Sequence, residues 1–143
     1  MGQRVDTREE AGSTLTLDGY RMIRVLRVSG STRVYEAIRE HDQRRVVAKS
    51  YELADNKTLE ARVEHEFRLI HGLEVQRVVR ALALERAGTR LVVVLDWFEG
   101  VNLEEYAAGR PLAIDEFLAI ALQLARVLAD VHGQRVVHRD IKP

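Results

Sequence analysis

Apolar positions along the chain follow two regimes. Between residues 20 and 51 they alternate with polar ones in three short runs, YRMIRVLRV, TRVYEAIRE and RRVVAKSYE, the two-residue period of half-buried strands. Ser29-Gly30-Ser31-Thr32 separates the first pair and His41-Asp42-Gln43 the second, loops short enough for an antiparallel meander. Residues 58 to 73 switch to helical spacing: Leu59, Val63, Phe67, Ile70 and Leu73 recur at three and four, with Gly72 near the end. Two more strand-like runs, VVRALALE and RLVVVLDWF, flank an Ala87-Gly88-Thr89 turn. The second is apolar on consecutive positions, as a strand covered on both faces is.

After Gly100 the pattern is helical. A short piece over residues 103 to 108 ends at the breaker cluster Gly109-Arg110-Pro111. Ile114, Phe117, Ile120, Ala121, Leu124, Leu128 and Val131 then mark one face of a helix about 30 Å long. Asp115 and Glu116 sit in its first turn, where the helix dipole favours negative charge, and Gly133 ends it. RVVHRDIKP is expected to leave as a strand and then a loop. Residues 1 to 17 are polar with no sustained period and read as a frayed tail. Repeats and low-complexity segments are absent from the sequence.

Composition narrows the function classes. With 46% apolar and 31% charged residues, the 143-residue chain suits one globular domain. Lys+Arg and Asp+Glu are 22 each, so no broad attraction to nucleic acid or anionic membrane is expected. The short run Gln43-Arg44-Arg45 reads as a solvated turn. The absence of cysteine excludes disulfides, thiolate catalysis and Cys-ligated zinc, and fits a cytoplasmic setting. The longest apolar stretch, residues 91–95, falls far short of the roughly 20 residues a membrane helix needs. At the start, MGQRVD has Asp6 where a myristoylation signal wants Ser or Thr.

Two isolated charges say little alone. Taken alone, Lys49 in VVAKS reads as an edge-strand charge that discourages aggregation, and Glu66 as an ordinary solvated helix residue. HRDIKP, directly after a long amphipathic helix, is more specific. Its Arg repels a metal cation, but Asp140 on a loop can accept a hydroxyl proton, and Lys142 two places on can neutralise a phosphate in the same cleft.

These motifs together resemble those of the eukaryotic-type serine/threonine protein kinases, a family also common in bacteria. The resemblance covers residues 20 to 143, with four separated motifs in the family's order. VVAK is similar to the strand-three motif, Glu66 falls at the helix glutamate, VVVLDWFEG resembles the hinge between lobes, and HRDIKP the catalytic loop. The resemblance implies an α+β fold: a kinase small lobe of five antiparallel strands and one helix, a hinge, and the first helices of the large lobe. The implied division is a tail over residues 1–17, a small lobe over about 18–95, a hinge at 96–100 and the start of the large lobe at 101–143.

It further implies that Lys49 holds the α- and β-phosphates of ATP, with Glu66 fixing its ammonium by an ion pair. Leu26, Val34 and Ala48 would roof the adenine, Leu95 would stand as gatekeeper, and the backbone of Asp96 and Phe98 would hydrogen-bond the adenine edge. Asp140 would be the catalytic base and Lys142 would stabilise the transferring γ-phosphoryl group. The partners implied are ATP, magnesium and a protein substrate.

Two departures qualify this. The family's G-x-G-x-x-G-x-V loop maps onto residues 27 to 34, where Arg27, Ser29 and Thr32 fill the glycine positions and Gly30 is out of register. Glycines there let backbone N–H groups approach phosphate closely, so side chains reshape that grip. This loop, with EFLAIALQLARVLADVH, is similar to the kinase domains that open long bacterial signalling proteins, ahead of an ATPase-like module and a sensor histidine kinase. Second, the magnesium-binding Asn and Asp-Phe-Gly that follow the catalytic loop in the family are not among these residues. The expectation is therefore an incomplete kinase domain, inactive alone, with the long helix exposed and prone to self-association. The alternative is a non-catalytic kinase-like module that binds a nucleotide or partner.

Overall fold

The computed structural model describes residues 15–138 and residue 141. The elements run β1 (Tyr20–Ser29), β2 (Thr32–Arg39), β3 (Arg44–Glu52), α1 (Lys57–His71), β4 (Ala81–Ala87), β5 (Arg90–Asp96), α2 (Leu103–Ala107) and α3 (Ile114–Gly133). The strands form one five-stranded antiparallel sheet in the order β1-β2-β3-β5-β4. All five strands and the helices fall where the apolar periods place them. The exception is the last segment: Val136, Val137 and His138 are irregular rather than a strand. An isolated extended run lacks the ladder partner that would hold it.

Alternation divides the core into two clusters, one on each face of the sheet. Tyr35, Ala37, Val46, Ala48, Val92 and Val94 pack on the outer face with Leu15 and Leu17. Those two leucines are 4% and 6% exposed, so they do not belong to the frayed tail expected over residues 1–17, of which residues 1–14 lie outside the described residues. They are apolar groups covering a surface of small side chains, and burial outweighs the cost of ordering them. On the inner face, Tyr51, Leu53, Val63, Leu91 and Val93 pack with Leu59, Phe67 and Ile70 of α1. Both faces of β5 are thus covered, which accounts for its unbroken apolar run.

Helix α1 is held at both ends. The Asn56 side chain accepts the Leu59 N–H at 3.0 Å, and the Gly72 N–H returns to the Arg68 carbonyl at 3.1 Å. Near its C-terminus the Phe67 and His71 rings stack at 5.1 Å, and His71 Nδ1 donates to the Ala81 carbonyl at 2.8 Å. Helix α3 is tied to the rest by its end: the Gln134 amide donates to the Glu74 carbonyl and accepts its N–H, each at 3.1 Å. Most of α3 is uncovered among the described residues, with Ile114, Phe117, Leu118, Leu122 and Leu124 exposed and Leu128 half-buried.

Candidate nucleotide site

Strand register decides which side chains share a face, because residues directly opposite each other in an antiparallel pair point to the same side. Val34 opposes Lys49, and Lys49 opposes Val93. Val47 opposes Leu95 one step along the same face. Lys49, Val34, Val47 and Leu95 therefore lie on the face that α1 covers, and Leu95 packs against its core cluster. Leu26 lies at a β1 irregularity between Val25 and Arg27, and is partly exposed.

Ala48 does not join them. It is fully buried with Tyr35, Val46 and Val94 on the opposite face, so it is not placed for the roof position expected of it, and Val47 is the neighbour that shares the face of Lys49. The reason is the two-residue period: a side chain one step from Lys49 must point away from it. Spacing from Lys49 contained this signal.

The expected ion pair between Lys49 and Glu66 is not formed. The Lys49 ammonium lies 5.1 Å from the centre of the Tyr51 ring, two residues along the same strand. Glu66 stays exposed on α1, although its neighbours Val63 and Phe67 face the sheet as expected. An exposed pair contributes at most about 1 kcal/mol, so cation–π contact and hydration compete with it on equal terms. The last two site residues expected, Asp140 and Lys142, lie outside the described residues.

At the hinge, Phe98 is largely exposed, and its backbone N–H and carbonyl are uncommitted among the described residues. The Asp96 N–H is already used, donating to the Arg80 carbonyl at 3.0 Å, and its carboxylate accepts Arg80 Nε at 2.9 Å. The Asp96 N–H expected to meet adenine is therefore committed within the fold. A cavity of about 580 Å³ adjoins the hinge, lined by Val75, Val78, Arg80, Asp96, Trp97 and Phe98, and Lys49 is not part of its wall.

An ionic bridge that the sequence did not suggest links the sheet to the hinge. Glu36, 6% exposed, accepts Arg24 Nε at 2.7 Å and Arg45 at 2.9 and 3.1 Å. Arg45 also donates to Glu99 at 2.5 Å and stacks 4.1 Å from the Trp97 ring, whose Nε1–H donates to Glu99 at 2.7 Å. The Arg24 hydrogen bond, helped by Arg45, holds the Glu36 carboxyl below the usual carboxylate range against the opposing effect of desolvation. Arg45 is thus no solvated turn residue. Residues 36, 45 and 99 are brought together only by strand pairing, so no local pattern announces them.

The tip of the β1–β2 hairpin is tight. Ser29 pairs with Thr32, leaving a two-residue turn with Gly30 at a φ of 56°. That conformation suits glycine, so Gly30 serves the turn. The Glu52 N–H bonds the Ser31 carbonyl at 3.1 Å and pins the tip to the end of β3.

Comparison with known proteins assigns the family and the fold. The family model described as "Protein kinase domain" matches residues 23–143, and the chain belongs to that family. It is 30% identical over 136 residues to Serine/threonine-protein kinase pkn2 of Myxococcus xanthus, covering 93% of this chain and 16% of that protein. Serine/threonine-protein kinase PrkC of Bacillus subtilis is 30% identical over 127 residues, covering 87% of this chain and 20% of its own length. The solved kinase domain of Mycobacterium tuberculosis PknI, crystallised as a single-site mutant, shares the fold with a TM-score of 0.73 at 22% identity. There the match covers 92% of this chain and 55% of that one. The chain thus spans a fifth or less of these curated relatives and about half of the solved domain. Protein kinases as a family use ATP and magnesium and phosphorylate protein hydroxyls. No described helix is long and apolar enough to cross a membrane.

Proposed function

We propose that this chain carries the ATP-binding part of a serine/threonine protein kinase. The observation that carries the reading is the placement of Lys49 beside Val34, with Val47 and Leu95 one step along, on the face that α1 covers. Val34, Val47, Leu95 and Leu26 offer an apolar surface to a purine, while the Phe98 backbone and the Asp96 carbonyl stand ready for its hydrogen-bonding edge. Lys49 meets the phosphates, and Glu66 is within one helix turn of residues that touch the sheet, positioned to pair with Lys49 once α1 shifts. The chemistry follows from the HRDIKP motif. A substrate hydroxyl oxygen attacks the γ-phosphorus, the bond to the β,γ-bridging oxygen breaks, and ADP leaves. Asp140 takes the hydroxyl proton, and Lys142 offsets charge on the transferring group. Among the described residues no group of three His, Asp or Glu side chains could hold a metal ion. An ATP-dependent reading agrees with the cytoplasmic setting expected from the cysteine-free sequence. The glycine positions filled by Arg27, Ser29 and Thr32 favour one second reading, a module that binds nucleotide without transferring phosphate.

Calorimetric titration with ATP tests the site. Binding that weakens at least about ten-fold in Lys49→Met supports it, since a charge-assisted phosphate contact is worth about 1.5–3 kcal/mol. Equal affinity in that variant would return Lys49 to the role of an edge-strand charge.

A further inference from the structure

We infer that Arg27 is a phosphate-binding residue that replaces the glycine-loop backbone in holding the nucleotide. This rests on the ATP reading above and names the grip that reading lacks. Arg27 fills the first glycine position of the family pattern, and the fold places it opposite Val34, which is itself opposite Lys49. The cross-strand row is therefore Arg27, Val34, Lys49, Val93, running through β1, β2, β3 and β5 on one face of the sheet. Opposed residues lie about 5 Å apart, so the Arg27 and Lys49 backbones stand about 10 Å apart with only Val34 between them. Two long cationic side chains at that separation converge readily on one polyphosphate.

Three further observations select Arg27 from the arginines nearby. Arg24 and Arg45 are committed to Glu36, whereas Arg27 is exposed and its side chain has no hydrogen bond or ion pair among the described residues. Arg33 opposes Ser50, one step from Lys49 and hence on the other face. Last, Ser29 and Thr32 are paired and the Ser31 carbonyl accepts the Glu52 N–H, which ties the hairpin tip to the end of β3. On this face the Arg27 guanidinium fork is suited to bind phosphate oxygens in pairs.

The test compares adenosine, ADP and ATP binding to the wild-type chain and to Arg27→Ala, Arg27→Lys and Lys49→Met. Arg27 is exposed, so these substitutions leave the fold intact, which circular dichroism checks. The expected result is that Arg27→Ala lowers the ratio of ATP to adenosine affinity about ten-fold, with adenosine itself unchanged and Arg27→Lys in between. An unchanged ratio, or tighter ATP binding in Arg27→Ala, overturns the inference: Arg27 is then a bystander or a steric block. The ATP site still stands in that case if Lys49→Met weakens ATP. Failure of the wild-type chain to bind either adenosine or ATP removes the ATP reading, and this inference with it.

Discussion

The Lys49 ammonium rests over the Tyr51 ring at 5.1 Å and makes no ion pair with Glu66, the glutamate carried by the helix on the same sheet face. Glu66 therefore contributes little to the fold as it stands. Glu66→Gln should change unfolding free energy by less than about 0.5 kcal/mol in urea titration. A loss well above that would mean that the pair with Lys49 forms in solution.

The two faces of β3 give opposite responses to added bulk. Ala48 is fully buried in the outer cluster, so Ala48→Leu should overpack it and cost about 1–3 kcal/mol in stability. Val47 is half-buried on the face of Lys49, so Val47→Phe should keep the fold and weaken adenosine binding instead. Denaturant midpoints and nucleoside titrations of both variants distinguish them. The reverse pattern would restore Ala48 to the nucleotide face.

Val63, 1% exposed, is the point where α1 is most deeply set into the sheet. Val63→Ala should remove about 2 kcal/mol through lost transfer energy and the cavity left behind. Truncation to Ala at Leu69 of α1, which is 41% exposed, should cost far less. Equal losses would argue that α1 does not pack on this face.

Acid should weaken the fold over a defined range. Glu116 accepts two hydrogen bonds from Arg110 and one from the Tyr106 hydroxyl, which hold its carboxyl at about 2. Asp42 is held lower still, chiefly by the Arg39 hydrogen bond, and Glu36 and Glu52 are lowered in the same sense. Each folded value lies below the unfolded one, so the stabilisation is complete above the unfolded value and lost as pH falls through the folded value. Melting temperature should be steady above about pH 5 and fall between about pH 4.5 and 2. Glu116→Gln should start lower and fall less over that range. A flat profile down to pH 2 would show that these arginine pairs do not persist in solution.

The outward face of α3 should bind a hydrophobic dye. Phe117, Leu118 and Leu122 are each more than half exposed, a contiguous apolar surface of the kind that drives association. Dye fluorescence and light scattering should both drop in a Phe117→Glu, Leu118→Glu double variant. Silence of the wild-type chain in both assays would mean that this face is covered in solution.

Much of this protein is legible in its string of residues. Periods of two and near 3.6 placed five strands and three helices, because alternation and helical spacing are properties of the backbone that survive in any fold able to bury them. The motifs around Lys49, Glu66 and the hinge likewise stand in the chain as a string. What only the tertiary structure decided were relations across the string. Strand register put Val47 rather than Ala48 beside Leu95, and placed Arg27 in the row of Lys49. Sheet order brought Glu36, Arg45 and Glu99 into one ionic bridge across 63 positions of sequence, counting from 36 to 99. Burial drew Leu15 and Leu17 out of a polar tail and onto the sheet. The choice of Tyr51 over Glu66 as the neighbour of Lys49 was settled by small competing energies between side chains, to which a pattern of residue types is blind.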